Sequence, residues 1–246
     1  MKEYLKRLND EQKKAVKHFK GPCMVLAGPG TGKTTIIVNR IMSLIKDYDI
    51  NPSNILVVTF TKAAAKEMEE RFSNINEHIR KYREVTFGTF HSVCFRILKH
   101  YKNYKLENLI KEKEKYVIIK SIIKTLGYDF YGDEQVLEDI VHELCYIQDM
   151  LIYDGGYNPV SCDYSKFWKI NEKYKNYKIE KNKFDYEDMI THCYELLIDN
   201  NSVLNTLRGK YKYILIDEFQ DINIAQFETM KLIAYPNNNL YVVGDD

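Results

Sequence analysis

Between positions 27 and 34 the chain reads Ala27-Gly28-Pro29-Gly30-Thr31-Gly32-Lys33-Thr34, a glycine-rich run closed by a lysine and a hydroxyl. Those residue types at that spacing suit a polyphosphate. Glycines let successive backbone N–H groups turn inward around an anion, and the start of the following helix favours negative charge. Lys33 is placed to reach the β- and γ-phosphates, and the Thr34 hydroxyl to ligate Mg²⁺. Ala27 stands where the strict pattern has Gly, at the end of a strand where a Cβ is sterically acceptable. A ligand-free Gly/Pro turn is the alternative, and Lys-Thr at the helix start argues against it.

A second cluster supplies the partner that such a loop needs. Tyr211 to Ile216 reads as a buried strand ending in Asp217-Glu218-Phe219-Gln220-Asp221. Acidic groups at the C-terminal end of a central strand lie beside the phosphate loop in a doubly wound sheet. Asp217 is expected to bind Mg²⁺ through a water, because this ion gives up its hydration shell reluctantly. Glu218 is the candidate base that orients the attacking water. About 180 residues lie between Lys33 and Asp217. A compact α/β nucleotide domain needs fewer, so a segment is inserted.

The elements that must position these groups alternate between strand and helix. Met24 to Ala27 reads as a short buried strand, and Ile37, Val38, Ile41, Leu44 and Ile45 as one face of the helix after Lys33. Ile55 to Phe60 is a strand leading to Thr61, an N-cap, and a helix with Ala64, Ala65, Met68 and Phe72. Val85 to His91 is a further short strand, and Leu240 to Val243 runs into Gly244-Asp245-Asp246. Alternation of this kind predicts an α/β fold with a parallel, RecA-like sheet.

Composition narrows the class. The 36 Lys and Arg against 35 Asp and Glu leave a net charge of +1, so any nucleic-acid contact comes from local patches. Cys23, Cys94, Cys145, Cys162 and Cys193 form no C-x-x-C pair, which argues for a reducing compartment and against zinc or iron–sulfur chemistry. The histidines show no ligand spacing. The start of the chain is charged and no apolar run reaches membrane-spanning length, so a soluble cytoplasmic protein without a membrane partner is expected.

With these pieces in order, the chain resembles the UvrD/Rep group of superfamily 1 DNA helicases along essentially its whole length. Leu8-Asn9-Asp10-Glu11-Gln12 is similar to that family's Q motif, in which the Gln amide reads the adenine edge. Ala27 to Thr34 matches its phosphate loop, where Ala in the first place is the usual form, and Thr35 stands where relatives often carry Arg at a nucleotide contact. Thr59-Phe60-Thr61, followed by Ala64-Ala65-Lys66-Glu67-Met68, resembles the motif that grips single-stranded DNA. Many relatives have Asn-Lys after Thr-Phe-Thr, whereas Lys62 and Ala63 here are closer to the RecB/AddA-like branch. Gly88-Thr89-Phe90-His91-Ser92 resembles a second DNA-contacting segment, which brings in Thr89, Phe90 and His91; His91 could also be purely structural, and Ser92 a helix cap. Asp217 to Asp221 matches the acidic box, and Val243 to Asp246 the opening of the next motif.

The resemblance implies an ATP-binding domain 1A over residues 1–91 and 209–246, with a helical domain 1B inserted over 92–208. Val93, Ile97, Leu98 and Tyr101 suit one helix of the insert, Val117, Ile118, Ile122 and Ile123 another, and Val136, Ile140, Leu144 and Ile147 a third. Phe184 to Ile190 resembles a family segment near the return to the core. Between Lys166 and Lys183, lysines alternate with Phe167, Trp168, Tyr174 and Tyr177. This stretch is either a nucleic-acid surface or a helix with rings inward and lysines in solvent.

By resemblance the chain is the N-terminal motor lobe of an ATP-dependent DNA helicase acting in DNA metabolism such as repair. The implied cofactors are ATP and Mg²⁺, and the partners are single-stranded DNA, its junction with duplex, and a second RecA-like lobe expected beyond Asp246. Without that lobe's arginines, weak activity is expected. An RNA-directed motor, a helicase–nuclease subunit and a nucleotide-gated module that does not hydrolyse remain alternatives.

Overall fold

The computed structural model describes residues 3–6, 8–28, 30–75, 80–153 and 155–245. Pro29 and Asp246 therefore lie outside the described residues. In chain order the elements are α1 (Asp10–Lys17), β1 (Cys23–Leu26), α2 (Lys33–Tyr48), β2 (Ile55–Thr59), α3 (Lys62–Ile75), β3 (Thr86–Thr89), α4 (Phe90–Lys102), α5 (Glu112–Leu126), α6 (Glu134–Asp149), α7 (Tyr164–Glu180), α8 (Tyr186–Asp199), α9 (Asn201–Lys210), β4 (Tyr213–Ile216), α10 (Ile224–Ala234) and β5 (Leu240–Gly244). They divide into two compact units. One is Met1–Val93, Leu197–Ile222 and Phe227–Asp246; the other is Cys94–Leu196 and Asn223–Gln226.

The first unit is built on a parallel five-stranded sheet in the order β1-β5-β4-β2-β3. This is the α/β architecture that the alternating pattern predicts. Every residue of β2 and β4 is buried, as continuous apolar runs require in a sheet covered on both faces. β1 departs from its expected burial. It is an edge strand, with Met24 57% and Leu26 61% exposed, because the chain places the later strand β5 between β1 and β4.

Helix α2 also differs from a simple amphipathic helix, since Ile36 to Ile45 are buried on every face. Its buried polar groups find partners locally or along the chain, except Arg40 Nε, which is buried without one. Asn39 Nδ2 donates to the Thr35 carbonyl, and Arg40 donates to the carbonyls of Val16 (3.2 Å) and Phe19 (3.0 Å). Arg40 thereby ties the end of α1 to the helix that follows the glycine-rich loop. Helix α9 groups with this unit, whereas the resemblance implies an insert that runs to residue 208. Arg208 Nε donates to the Leu232 carbonyl and Asn54 Nδ2 to that of Lys210, which fastens both faces of its C-terminal turn.

The second unit is helical, with a core that includes Ile119, Ile140, Leu144, Phe167, Ile170 and Tyr174. Phe167 and Tyr174 of α7 point inward, which is the solvated-lysine alternative for that helix. Lys166 pairs with Asp129 and Asp163, Lys169 with Glu172, and Lys183 with Glu114. Lys178 is buried and bonds Asp185 (3.2 Å) and Asp188 (2.7 Å). Asp185 and Asp188 also cap α8 reciprocally, each carboxylate accepting the other's backbone N–H. The segment around Phe184 thus serves the fold: it closes one helix and neutralises a lysine that burial would otherwise strand.

Glu143 organises the loop before α7. Its carboxylate accepts from the Tyr157 hydroxyl (2.7 Å), from the N–H groups of Val160 (2.7 Å) and Ser161 (3.2 Å), and from the Ser161 hydroxyl. Burial opposes ionisation here, but these donors win and hold the carboxyl below its ordinary value. A depressed acid contributes its stability above the unfolded value and loses it as pH falls through the folded one. Glu143→Gln is therefore expected to lower stability by about 2 kcal/mol near neutral pH, with the difference from the parent shrinking below about pH 4. Thermal melts across pH check this.

Candidate nucleotide site

The C-terminal ends of the parallel strands bring the site together. β1 hands over to the glycine loop, β4 to the acidic turn and β5 to Asp245, with Leu26 in register with Gly244. The Ala27 N–H donates to the Gly244 carbonyl at 2.9 Å, extending that pairing into the loop. Gly30 and Gly32 adopt φ of 74° and 89°, the left-handed region that favours glycine. Thr31 folds back on the loop, its hydroxyl donating to the Gly28 carbonyl at 2.7 Å. Gly32 then starts α2 with its carbonyl accepting from the Ile36 N–H.

Lys33 and Glu218, 185 positions apart, are in contact: Nζ donates to Glu218 Oε2 at 2.7 Å and to Asp245 Oδ1 at 2.9 Å. Burial works against the ammonium, but its hydrogen bonds to the two carboxylates raise its pKa above the ordinary lysine value. The Glu218 carboxyl is held low, first by the Gln220 amide and then by Lys33. Glu218 itself has φ 52° and ψ 51°, a strained backbone for a residue with a Cβ. That strain turns its side chain to the loop.

Asp217 behaves differently. It is 4% exposed, and its Oδ1 is buried without a hydrogen-bond partner. Burial, reinforced by the Glu218 charge, pushes its pKa to about 6. An orphaned carboxylate oxygen beside a phosphate loop fits a hydrated divalent cation. Among the described residues no group of three His, Cys, Asp or Glu side chains could hold a metal by itself. Mg²⁺ held by one carboxylate, the Thr34 hydroxyl and a ligand's own phosphates needs no such group.

Gln12 sits in a reciprocal capping box with Asn9 and also donates Nε2 to the Thr31 carbonyl at 2.9 Å. The carboxamide still has one N–H and one lone pair, the pair of groups an adenine edge requires. A cavity of about 560 Å³ lies beside it, lined by Gln12, Ala15, His18, Val25, Ala27 and Thr31 among others. Thr35 gives its carbonyl to Asn39, and its side chain packs near Gly32.

The comparisons with known proteins now decide the family. Residues 8–246 match the UvrD/REP helicase N-terminal domain. The chain belongs to the UvrD/REP helicase family. It is 37% identical over 246 residues to YjcD of Bacillus subtilis, covering 97% of this chain and 32% of that protein. It is 36% identical to "DNA helicase II" of Rickettsia typhi, over 99% of this chain and 38% of that one. Against "ATP-dependent DNA helicase Rep" of Buchnera aphidicola the identity is 34%, over 97% and 37%. The chain thus spans about a third of the length of the curated relatives it matches. No helix among the described residues is long and apolar enough to cross a membrane.

The residues that the UvrD/REP resemblance offers for DNA separate into two sets. Phe60 is 52% exposed, Thr61 is exposed and His91 half-buried. Thr59 is fully buried, its hydroxyl donating to the Thr61 carbonyl, while the Thr61 hydroxyl caps α3 by accepting from the Ala64 N–H. Phe90 is 1% exposed, so its ring offers no face to a base, and the DNA contact expected of Phe90 does not fit. The reason is local. The strand ends at Thr89, which forms a reciprocal cap with Ser92, and α4 starts at Phe90 with its ring turned inward. Thr89 is 6% exposed and is spent on that cap.

Sequence reasoning left Gln220 and Asp245 without roles. Gln220 Nε2 donates to Glu218 Oε2 and its Oε1 accepts the Asp245 N–H, both at 2.9 Å. The signal for Asp245 was present: it follows β5 as Asp217 follows β4.

Proposed function

We propose that this chain is the ATP-binding motor lobe of a DNA helicase, with residues 1–91 and 209–246 as domain 1A and a helical domain 1B inserted. The Lys33–Glu218 contact carries the reading, because it joins the phosphate loop to the acidic turn at the strand ends. ATP lies with its base in the cavity by Gln12 and its phosphates along residues 27–35, facing the N–H groups of the loop and Lys33. Thr34 and Asp217 would hold Mg²⁺, which would neutralise charge developing on the phosphates. Glu218, released from Lys33 by the phosphates, orients the attacking water. A second RecA-like lobe supplies the remaining transition-state charge, and closure of two lobes moves the protein along single-stranded DNA towards a junction with duplex. The free thiols of all five cysteines fit a reducing, cytoplasmic compartment.

DNA contact is assigned to Phe60, Thr61 and His91, with Thr59, Thr89 and Phe90 shaping the strand ends beneath them. A stacked base is worth about 1–3 kcal/mol, so Phe60→Ala is expected to weaken binding of an oligothymidylate about tenfold. Fluorescence anisotropy with DNA and RNA oligonucleotides in competition checks this. Unchanged affinity removes Phe60 from the DNA path, and preference for RNA replaces the substrate.

A further inference from the structure

Around Lys33 the hydrogen bonds close a ring. Nζ donates to Glu218 Oε2 and Asp245 Oδ1; Gln220 Nε2 donates to the same Glu218 oxygen; and the Asp245 N–H donates to Gln220 Oε1. The Lys33 side chain is 12% exposed and that of Asp245 27%, so this pair is not a loose surface contact. The ring is held tightly on one side. A Cβ on Gly244 would stand 2.7 Å from Gln220 Oε1 and 3.3 Å from its backbone nitrogen, so the acidic turn rests directly on the end of β5. Asp245 therefore follows a rigid strand and is aimed by Gln220. In the proposed reaction Glu218 orients water, and the contacts of Asp245 are with Lys33 and Gln220.

A carboxylate oxygen 2.9 Å from an ammonium makes the bond that a phosphate oxygen makes at the same place and distance. We propose that Asp245 is a built-in competitor for the phosphate-binding amine: its carboxylate holds Lys33 until a β- or γ-phosphate displaces it. This inference rests on the reading of Lys33 as a phosphate ligand. Asp245 then sets nucleotide affinity without touching the base or the reacting atoms, and acts through Lys33 alone. It is a positioning residue. It also grades ligands by phosphate number. ATP and ADP reach Lys33 and must displace the carboxylate, while AMP does not reach it.

The test is a double-mutant cycle on residues 1–246, with ATP, ADP and AMP titrated by calorimetry into the parent, Asp245→Asn, Lys33→Ala and the double variant. Asp245→Asn is expected to tighten ATP and ADP about tenfold, the worth of one charge-assisted bond, and to leave AMP within about twofold. Asp245→Ser, which also lacks the charge, is expected to match it. In the Lys33→Ala background, titrated to millimolar ATP, the same change is expected to do nothing. Equal tightening in that background would overturn the inference, because Asp245 would then repel the ligand directly. Unchanged or weaker ATP binding by Asp245→Asn would overturn it too. If Lys33→Ala itself binds ATP as the parent does, the phosphate-site reading falls instead.

Discussion

Lys33→Ala is expected to weaken ATP binding about a hundredfold. In the proposed complex the ammonium makes charge-assisted bonds to two phosphate oxygens, and two such bonds are together worth about 3 kcal/mol. The substitution has a second consequence that a lysine in a bare glycine loop would lack. Glu218 and Asp245, each within 2.9 Å of Nζ, lose their counter-ion, and Asp217 stands next in the chain to Glu218. Glu218 and Asp245 then face one another without a cation, and Asp217 feels the Glu218 charge. The variant should therefore melt below the parent without any ligand, with Mg²⁺ restoring part of the loss. Nucleotide titration by calorimetry and melting with and without Mg²⁺ check both halves.

Glu218→Gln separates binding from chemistry. The amide cannot accept a proton from water, and positioned bases contribute about 10²–10⁴ in rate. ATP turnover, followed under single-turnover conditions, is expected to fall about a thousandfold. Affinity should hold or rise, since one of the two carboxylates gripping Lys33 has become neutral. A variant that hydrolyses ATP at the parent's rate would hand the base's role to another group. The backbone argues for Glu218: a left-handed conformation at a residue with a Cβ costs about 1–2 kcal/mol, and here it points the carboxylate at the phosphate loop.

The chemistry was legible in the sequence because it depends on residue type and short spacing. A glycine loop ending in Lys33-Thr34, and an apolar strand ending in Asp217-Glu218, point to a proposed phosphate and metal site before any fold is known, and the fold brings Lys33 and Glu218 into contact. The sheet was legible for the same reason, since β2 and β4 are unbroken apolar runs. What escaped notice depends on neighbours distant in sequence. β1 reads like its partners, yet strand order leaves it at an edge with Met24 and Leu26 exposed. The inward ring of Phe90 follows from one cap between Thr89 and Ser92, which ends the strand two residues earlier than its apolar pattern suggests. Arg40 looks like a surface charge on an apolar helix, and only the fold puts the carbonyls of Val16 and Phe19 within its reach. Asp245 and Gln220 gain their roles through each other.

The central claim is that residues 27–35 and the acidic turn clasp a nucleoside triphosphate between them. A crystal structure of residues 1–246 soaked with Mg²⁺ and a non-hydrolysable ATP analogue tests it most directly. Lys33 Nζ is expected to turn from Asp245 to the β- and γ-phosphate oxygens, with the metal facing Thr34 and the orphaned oxygen of Asp217, and the base beside Gln12. An analogue bound elsewhere, with the Lys33 bonds to Glu218 and Asp245 intact, would contradict it.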